Sequence, residues 1–160
     1  MTVLGSVVTL QATVSTPAQG AEPSDSAAVR SVWKSIDAMW NAHDAERFSR
    51  LYTEDASLVF VDRGESLDSR AAILEFFTER FPNNSPDLRH RTTVREVSDV
   101  ASSVLAVDGK VEILRIGPEG STEPAVLKTF AIFAVMTRKA EGLQIRALRI
   151  YEMSAAAGDT

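Results

Sequence analysis

The chain has 160 residues with 17 basic and 22 acidic side chains, and its net charge of −5 argues against nucleic acid or an anionic membrane surface as a main partner. Cysteine is absent, which excludes disulfides and thiolate chemistry, and the two histidines lie too far apart in the chain for a local metal-binding motif. No apolar run reaches the roughly 20 residues that span a bilayer, and the length fits a single domain.

The first 25 residues differ in composition from the rest of the chain. They are rich in threonine, serine, alanine and glycine and contain no basic residue. A secretory signal begins with a positively charged segment, which this stretch lacks, so we expect a cytoplasmic protein. We interpret residues 1–25 as an N-terminal arm, either flexible or forming an early strand over Val3–Leu10. Residues 26–154 are predicted to form one domain and residues 155–160 a tail.

Three helices are predicted in the first half of the domain. Apolar residues recur at steps of three and four from Val29 to His43, which is the spacing of an amphipathic helix. A shorter helix is predicted over residues 45–55 and a third over residues 69–81, which Pro82 ends. The residues between these two helices are predicted to form a strand, a turn and a short return strand.

After residue 86 the spacing of apolar residues changes to alternation. Four strands are predicted, over residues 88–97, 102–116, 125–139 and 142–153. No helix fits between them, so they are expected to be antiparallel neighbours, which gives an α+β fold with the helices on one sheet face. The strand over residues 125–139 is apolar at both parities. We therefore expect a second copy to cover the outer sheet face, forming a homodimer.

A family resemblance rests on the order of three segments. These are "W-N-A-H-D" at the end of the first helix, "L-Y-T-E-D-A", and "S-R-A-A-I-L-E-F-F" before the four strands. This order resembles the nuclear-transport-factor-2-like superfamily, and within it is similar to the SnoaL-like and SgcJ/EcaC branch, which includes proteins from enediyne antibiotic gene clusters. The resemblance implies a cone-shaped α+β barrel, in which three N-terminal helices pack on a strongly curved, mostly antiparallel sheet around an apolar pocket.

The resemblance does not choose an activity, because the superfamily includes isomerases, cyclases, epoxide hydrolases and non-catalytic binding modules. Ketosteroid isomerases use a tyrosine on the first helix, and Ile36 occupies the matching position here. Their aspartate base corresponds to Phe60 in one alignment and to Asp62 in another. Neither alignment restores the oxyanion pair, so we do not expect ketosteroid isomerase activity.

The candidate for proton transfer is His90. Alternation on its strand places His90 on the helix side together with Thr92 and Val94, because the opposite row is rich in arginine. Histidine side chains titrate near neutrality, which suits general acid–base catalysis. The alternative is a histidine that is only part of the core.

Other groups are less suited to catalysis. His43 is expected to have a structural role at a helix end, where the helix dipole favours it. Asp62, beside a turn, is the second catalytic candidate. If His90 is catalytic, a hydrogen bond from Tyr52 or Tyr151 is expected to assist it.

The expected ligand-binding residues are mostly aromatic. They are Trp33, Trp40, Tyr52, Phe60, Phe77, Phe133, Arg149 and Tyr151. Arg149 is expected either to pair with Glu112 or to anchor an anionic or carbonyl group of a ligand. Because few polar groups accompany the aromatic ones, this set predicts a pocket that prefers extended or fused apolar molecules over charged ones.

Two classes of function remain. The first is a small-molecule pocket protein of natural-product (enediyne or polyketide) biosynthesis, which binds an apolar polyketide or polyene intermediate and either assists its cyclisation or isomerisation or only carries it. The second is a non-catalytic interaction module that uses its sheet as a docking surface. No cofactor and no metal are expected in either class, and whether the chain is an enzyme stays open at this point.

Overall fold

The computed structural model describes residues 23–117 and 123–154. Most of the predicted N-terminal arm and the whole predicted tail lie outside the described residues, as does the proposed early strand. The first helix includes residues 23–25, which the sequence assigned to the arm. No helix in the described part of the chain is long and apolar enough to cross a membrane.

The described residues form three helices and six strands. The helices are α1 (Pro23–Asn41), α2 (Ala45–Arg50) and α3 (Arg70–Arg80). The strands are β1 (Tyr52–Phe60), β2 (Glu65–Leu67), β3 (Leu88–Ala101), β4 (Val104–Arg115), β5 (Ala125–Lys139) and β6 (Gly142–Glu152). Single 3-10 turns follow β1 and α3, at Val61–Arg63 and Phe81–Asn83.

The six strands form one curved sheet in the order β2-β1-β6-β5-β4-β3. All neighbours are antiparallel except β1 and β6, which are parallel. The predicted α+β fold is confirmed, with the three helices on one face of a mostly antiparallel sheet that is curved but not closed. We call the face that packs on the helices the inner face and the opposite one the outer face.

The second helix is shorter than predicted. It begins after Asp44, whose carboxylate accepts a hydrogen bond from the Arg47 N–H at 2.9 Å, and it ends at Arg50. The expected helix over residues 45–55 is therefore wrong in its second half, which forms the start of β1. Pairing with β6 decides this, because the Ile145 N–H donates to the Leu51 carbonyl at 2.9 Å and brings the following residues into the sheet.

His43 lies in the turn that follows α1, with its backbone in the left-handed region at φ 55°. This conformation is uncommon for a residue other than glycine. Its N–H donates to the Trp40 carbonyl at 3.0 Å, and its ring stacks on Phe81 with centroids 5.6 Å apart. The predicted position of His43 at a helix end is confirmed, and the aromatic contact fixes the turn between α1 and α2.

The core lies between the helices and the inner sheet face. Its fully enclosed members include Val29 and Ile36 of α1, Ile73 of α3, and Ala134 and Met136 of β5. Alternation left the inner row of β5 open, because the strand is apolar at both parities, and the structure places Ile132, Ala134 and Met136 inward. Each large aliphatic side chain that folding removes from water contributes about 1.5–3 kcal/mol, so this layer supplies much of the stability.

Several bulges shift the register of the sheet, and two of them bear on the inner face. One bulge in β3 lies at Arg95, and one in β6 lies at Arg146, since Ile145 pairs with Met136 while Ala147 pairs with the adjacent Val135. A bulge shifts the alternation by one position. Opposite the β3 bulge, a Cβ on Gly109 would lie 2.6 Å from the Thr93 carbonyl oxygen, so only glycine permits this close approach of the strands.

The outer face carries an ionic group centred on Glu112, which is only 7% exposed. Its carboxylate accepts hydrogen bonds from Lys110 Nζ at 2.8 Å and from Arg91 Nε at 3.0 Å. The bond from Lys110, and then that from Arg91, hold the pKa of Glu112 below its usual range. The expected pairing of Glu112 with Arg149 is wrong, since Arg149 Nη1 donates to Ser57 Oγ at 3.1 Å instead.

Replacing Glu112 with glutamine is expected to destabilise the protein by about 1 to 2 kcal/mol at neutral pH, because it removes the charge that two cations share. Because the pKa of Glu112 is lower in the folded protein than in the unfolded chain, its charge stabilises the fold at pH values above the unfolded pKa of about 4.3. This stabilisation is lost as the pH falls through the pKa of the folded state. The difference between wild type and Glu112→Gln in urea unfolding should therefore shrink below about pH 4. Glu46→Gln, at an exposed pair with Arg50, is the matched control and should have little effect.

The outer face also exposes aromatic side chains, with Phe133 at 40% and Tyr151 at 42% exposure. The homodimer stays a prediction, and light scattering at micromolar concentration should give about twice the 17.4 kDa of one chain. Phe133→Lys should shift the protein toward monomer, whereas Val100→Lys, an apolar-to-charged change at the far end of β3, should not. A monomeric mass for the wild type would contradict the prediction.

Candidate functional site

A cavity of about 260 Å³ lies between the helices and the inner sheet face. All three helices and five of the six strands contribute to its wall. The wall is mostly aliphatic and aromatic, as in Ile36 of α1, Leu58 of β1 and Val111 of β4. Such a concave, mostly apolar space is the usual form of a small-molecule site.

The cavity brings together most of the residues that the sequence analysis selected. Its wall includes Trp33, Trp40, Tyr52, Phe60, Phe77 and His90. Tyr52 is enclosed, and this burial raises its pKa well above the usual range, so its phenol stays neutral. The Trp40 and His90 rings lie 5.3 Å apart, which joins the predicted aromatic wall to the predicted proton-transfer group.

Four predicted residues do not line this cavity. Phe133 lies on the outer face, in the opposite row to the core residues of β5. Arg149 and Tyr151 were assigned to the inner face by alternation from Ile145, and the bulge at Arg146 turns both outward. Sequence alternation cannot reveal a bulge, which is why this assignment is wrong for β6.

Asp62 is the fourth predicted residue that does not line the cavity. It lies on the 3-10 turn after β1 and borders a small recess beside the cavity. Its Oδ2 accepts a hydrogen bond from the Glu152 N–H and so ties this turn to the end of β6. Its position favours a structural role over the catalytic one that the sequence allowed.

The polar centre of the site is a pair that the sequence analysis missed. Asp37 Oδ1 lies 2.7 Å from His90 Nδ1, and the two side chains are 21% and 11% exposed. Thr92 completes the arrangement, because its Oγ1 donates to Asp37 Oδ1 at 2.7 Å and its N–H donates to Asp37 Oδ2 at 3.0 Å. The carboxylate thus accepts three hydrogen bonds, which offsets the cost of its partial burial.

This arrangement fixes the tautomer of His90. A carboxylate only accepts, so Nδ1 carries the proton and Nε2 is the atom left with a lone pair in the neutral ring. None of the described residues forms a hydrogen bond with Nε2, and the ring is part of the cavity wall. The neutral ring therefore adds to the cavity wall one basic nitrogen that the described residues leave without a hydrogen bond.

Helix α1 also holds the backbone of His90. Asn41, one turn after Asp37, accepts from the His90 N–H at 2.7 Å and donates through Nδ2 to the His90 carbonyl at 3.1 Å. Strand β3 is at the sheet edge, so this amide replaces the partner that a further strand would supply. Two consecutive helical turns thereby position one imidazole.

The sequence carries a weak signal for this pair. Asp37 and Asn41 are four positions apart and flank the aromatic stripe of α1, while Thr92 shares the inward parity of His90. Polar residues next to an aromatic stripe usually face water. Only the packing of α1 across β3 shows that these face the sheet.

Charged residues at the edge of the cavity were also not predicted. Arg63, Arg80, Lys128 and Glu152 all contribute to its wall and are all exposed. The expectation of few polar groups is therefore wrong at this edge, although it describes the rest of the wall.

Within the described part of the chain, Trp33 Nε1 and Asn84 Nδ2 on the wall are enclosed without a hydrogen-bond partner.

Comparison with known proteins agrees with this architecture. A domain of unknown function with a cystatin-like fold from Nostoc punctiforme superposes with a TM-score of 0.70 at 24% identity, covering 85% of this chain and 82% of that one. A nuclear-transport-factor-2-like protein from Novosphingobium aromaticivorans, also with a cystatin-like fold, gives a TM-score of 0.68 at 17% identity, covering 84% and 85%. A ketosteroid isomerase-like protein from Erwinia carotovora atroseptica gives 0.64 at 13% identity, covering 84% and 100%.

At these identities the likeness shows the fold alone. No curated protein matches the chain. Residues 32–153, from α1 to just past the end of β6, match the model of the SnoaL-like domain. The chain belongs to the SnoaL-like domain family.

Proposed function

We propose that this chain is a cytoplasmic pocket protein of natural-product biosynthesis, related to the SgcJ/EcaC branch, that binds an apolar polyketide or polyene intermediate. Within the cavity, His90 transfers a proton and so assists isomerisation or cyclisation of that intermediate. The single observation that carries the proposal is the Asp37–His90 pair at 2.7 Å in the wall of an otherwise apolar cavity.

The pair suits general acid–base catalysis for a geometric reason. Asp37 and Asn41 hold the ring and backbone of His90, and Trp40 packs on the ring, so the imidazole cannot turn away from the cavity. A rigidly held group loses little orientational freedom when the ligand reacts. An apolar ligand that fills the cavity displaces water, which would otherwise compete for the proton.

An isomerisation balances without a further reactant. Nε2 of neutral His90 accepts a proton from one carbon of the ligand, and the resulting imidazolium returns it to another carbon. The C–H bond that breaks is replaced by the one that forms, the double bond moves, and His90 regains its starting form. Asp37 contacts His90 and Thr92 and is not part of the cavity wall, so it is a positioning residue.

A carrier is the second candidate. The hydrogen bonds of Asp37 to His90 and Thr92 also tie α1 to β3, and this structural role needs no chemistry. A carrier would use the same aromatic wall to shield a reactive molecule. The two functions differ in turnover and not in binding.

Substitution of His90 separates these functions. With a β,γ-unsaturated polyene ketone as substrate, conversion to the conjugated isomer is followed by absorbance. His90→Gln is expected to lower the rate by about 10²- to 10⁴-fold while binding is retained. Asp37→Asn should lower kcat with little change in KM, because it disturbs the orientation of His90 and leaves the apolar wall intact.

Thr92→Val is the structural control for this experiment. It removes one hydrogen bond of Asp37 and leaves His90 in place, so it should cost about 1 kcal/mol of stability and keep most of the activity. A His90→Gln protein that turns over at the wild-type rate would refute the catalytic role. Turnover by neither protein, with binding by both, would support the carrier.

Ligand binding itself is testable through tryptophan fluorescence. A neutral conjugated polyene should quench Trp33 and Trp40, because both lie in the cavity wall. Trp40→Ala is expected to weaken binding about tenfold through lost apolar contact. Phe133→Ala, an aromatic change on the outer face, should leave binding unchanged. Binding of a sugar phosphate in place of polyenes would contradict the proposal.

A further inference from the structure

We infer that the ligand of this cavity carries a carboxylate, which Arg80, supported by Arg63, binds at the cavity mouth. This inference rests on the proposed function, since it names the class of molecule that the same cavity binds. Its basis is the position and aromatic support of these two arginines and the unpaired charge of Arg80.

The cavity opens to solvent where its lining residues are exposed, and we call this opening the mouth. The exposed members of the wall come from the turn after β1, the end of α3, and strands β5 and β6. The wall residues on α1, such as Trp33 and Ile36, are enclosed. A ligand therefore places its apolar body toward α1 and any group that needs water at the rim beside Arg63 and Arg80.

The two arginines are supported by aromatic rings. The Arg63 guanidinium lies 4.2 Å from the Phe60 ring centroid, and that of Arg80 lies 5.5 Å from the Phe76 centroid. The Phe60 and Phe76 rings are themselves neighbours, with centroids 5.6 Å apart. A guanidinium over an aromatic face keeps its N–H groups pointing outward in its own plane, ready for a planar acceptor.

The charge of Arg80 is the most available at the rim. Lys128 Nζ already pairs with Glu152 at 2.8 Å. Arg63 has Glu65 only at 3.7 Å, beyond hydrogen-bond distance, and Asp62 beside it accepts from the Glu152 N–H. Within residues 23–117 and 123–154, Arg80 has no carboxylate within ion-pair distance. An acidic protein thus presents an unpaired guanidinium at the entrance of an apolar cavity.

The chemistry of the rim favours a carboxylate. A guanidinium matches the two oxygens of a carboxylate with parallel N–H donors. Glu152 at the same rim disfavours a doubly charged group such as a phosphate. Asn84, four positions after Arg80, adds a side-chain amide whose Nδ2 has no acceptor in the described part of the chain.

The test compares an acid with its ester. A conjugated tetraene fatty acid and its methyl ester are titrated against the full chain, with quenching of tryptophan fluorescence as the readout. The acid is expected to bind about 5- to 10-fold more tightly than the ester at low salt, and the difference should fall as salt rises. Arg80→Gln should bring the acid to the affinity of the ester and leave the ester unchanged.

Two further variants make the test specific. Arg47→Gln removes the same charge from α2, outside the cavity, and should change neither affinity. Glu152→Gln releases Lys128 and should tighten binding of the acid about 2- to 3-fold, an effect of opposite sign. Circular dichroism of each variant confirms that the fold is kept.

The outcomes separate this inference from the proposed function. Equal binding of acid and ester by the wild type, or an equal loss of both in Arg80→Gln, would overturn the carboxylate site while the apolar ligand class stands. The same loss in Arg47→Gln would show a general charge effect and overturn it too. Binding of neither compound would overturn both the site and the proposed function.

Discussion

The attachment of α1 to strand β3 through the carboxylate of Asp37 determines the geometry of the site. A partly buried carboxylate costs free energy unless donors surround it, and here His90 and Thr92 supply three hydrogen bonds from one strand. Those donors exist only when α1 lies across β3 in one register. The same contact therefore closes the cavity on one side, covers an exposed sheet edge and sets the direction of the His90 ring.

The sheet bulges decide which side chains share the cavity with that ring. Without the extra residue at Arg146, Arg149 would face inward in place of Leu148 and Ile150. A charged residue would then lie in the apolar wall, opposite the helices. Because the bulge turns it outward to Ser57, the inner face of β6 stays aliphatic up to the rim. The cavity wall is thus apolar because of the register of β6 as well as because of which residues the strand contains.

The sequence predicted the parts of this structure that depend on local pattern. The four long strands and the inward position of His90 follow from alternation over neighbouring residues, whereas the inner row of β5 does not, because that strand is apolar at both parities. The pairing of Asp37 with His90 joins residues 53 positions apart, and no local pattern encodes it. The boundary between α2 and β1 was misplaced for the same reason, since a distant strand, β6, draws Tyr52 into the sheet. Rim charges such as Arg80 look like ordinary solvent-facing residues until the cavity is known.

The distribution of polar groups implies how a ligand is oriented. Burial of apolar surface is non-directional, so the aromatic and aliphatic wall can hold a molecule without fixing which of its atoms meets His90. Direction must come from the few groups with defined hydrogen-bond geometry. The imidazole is one, held from α1, and the guanidinium of Arg80 at the mouth is another. Under the proposed function, a molecule bound at both points would have one orientation along the cavity, and selectivity for the reacting carbon would follow from the distance between its acidic end and that carbon.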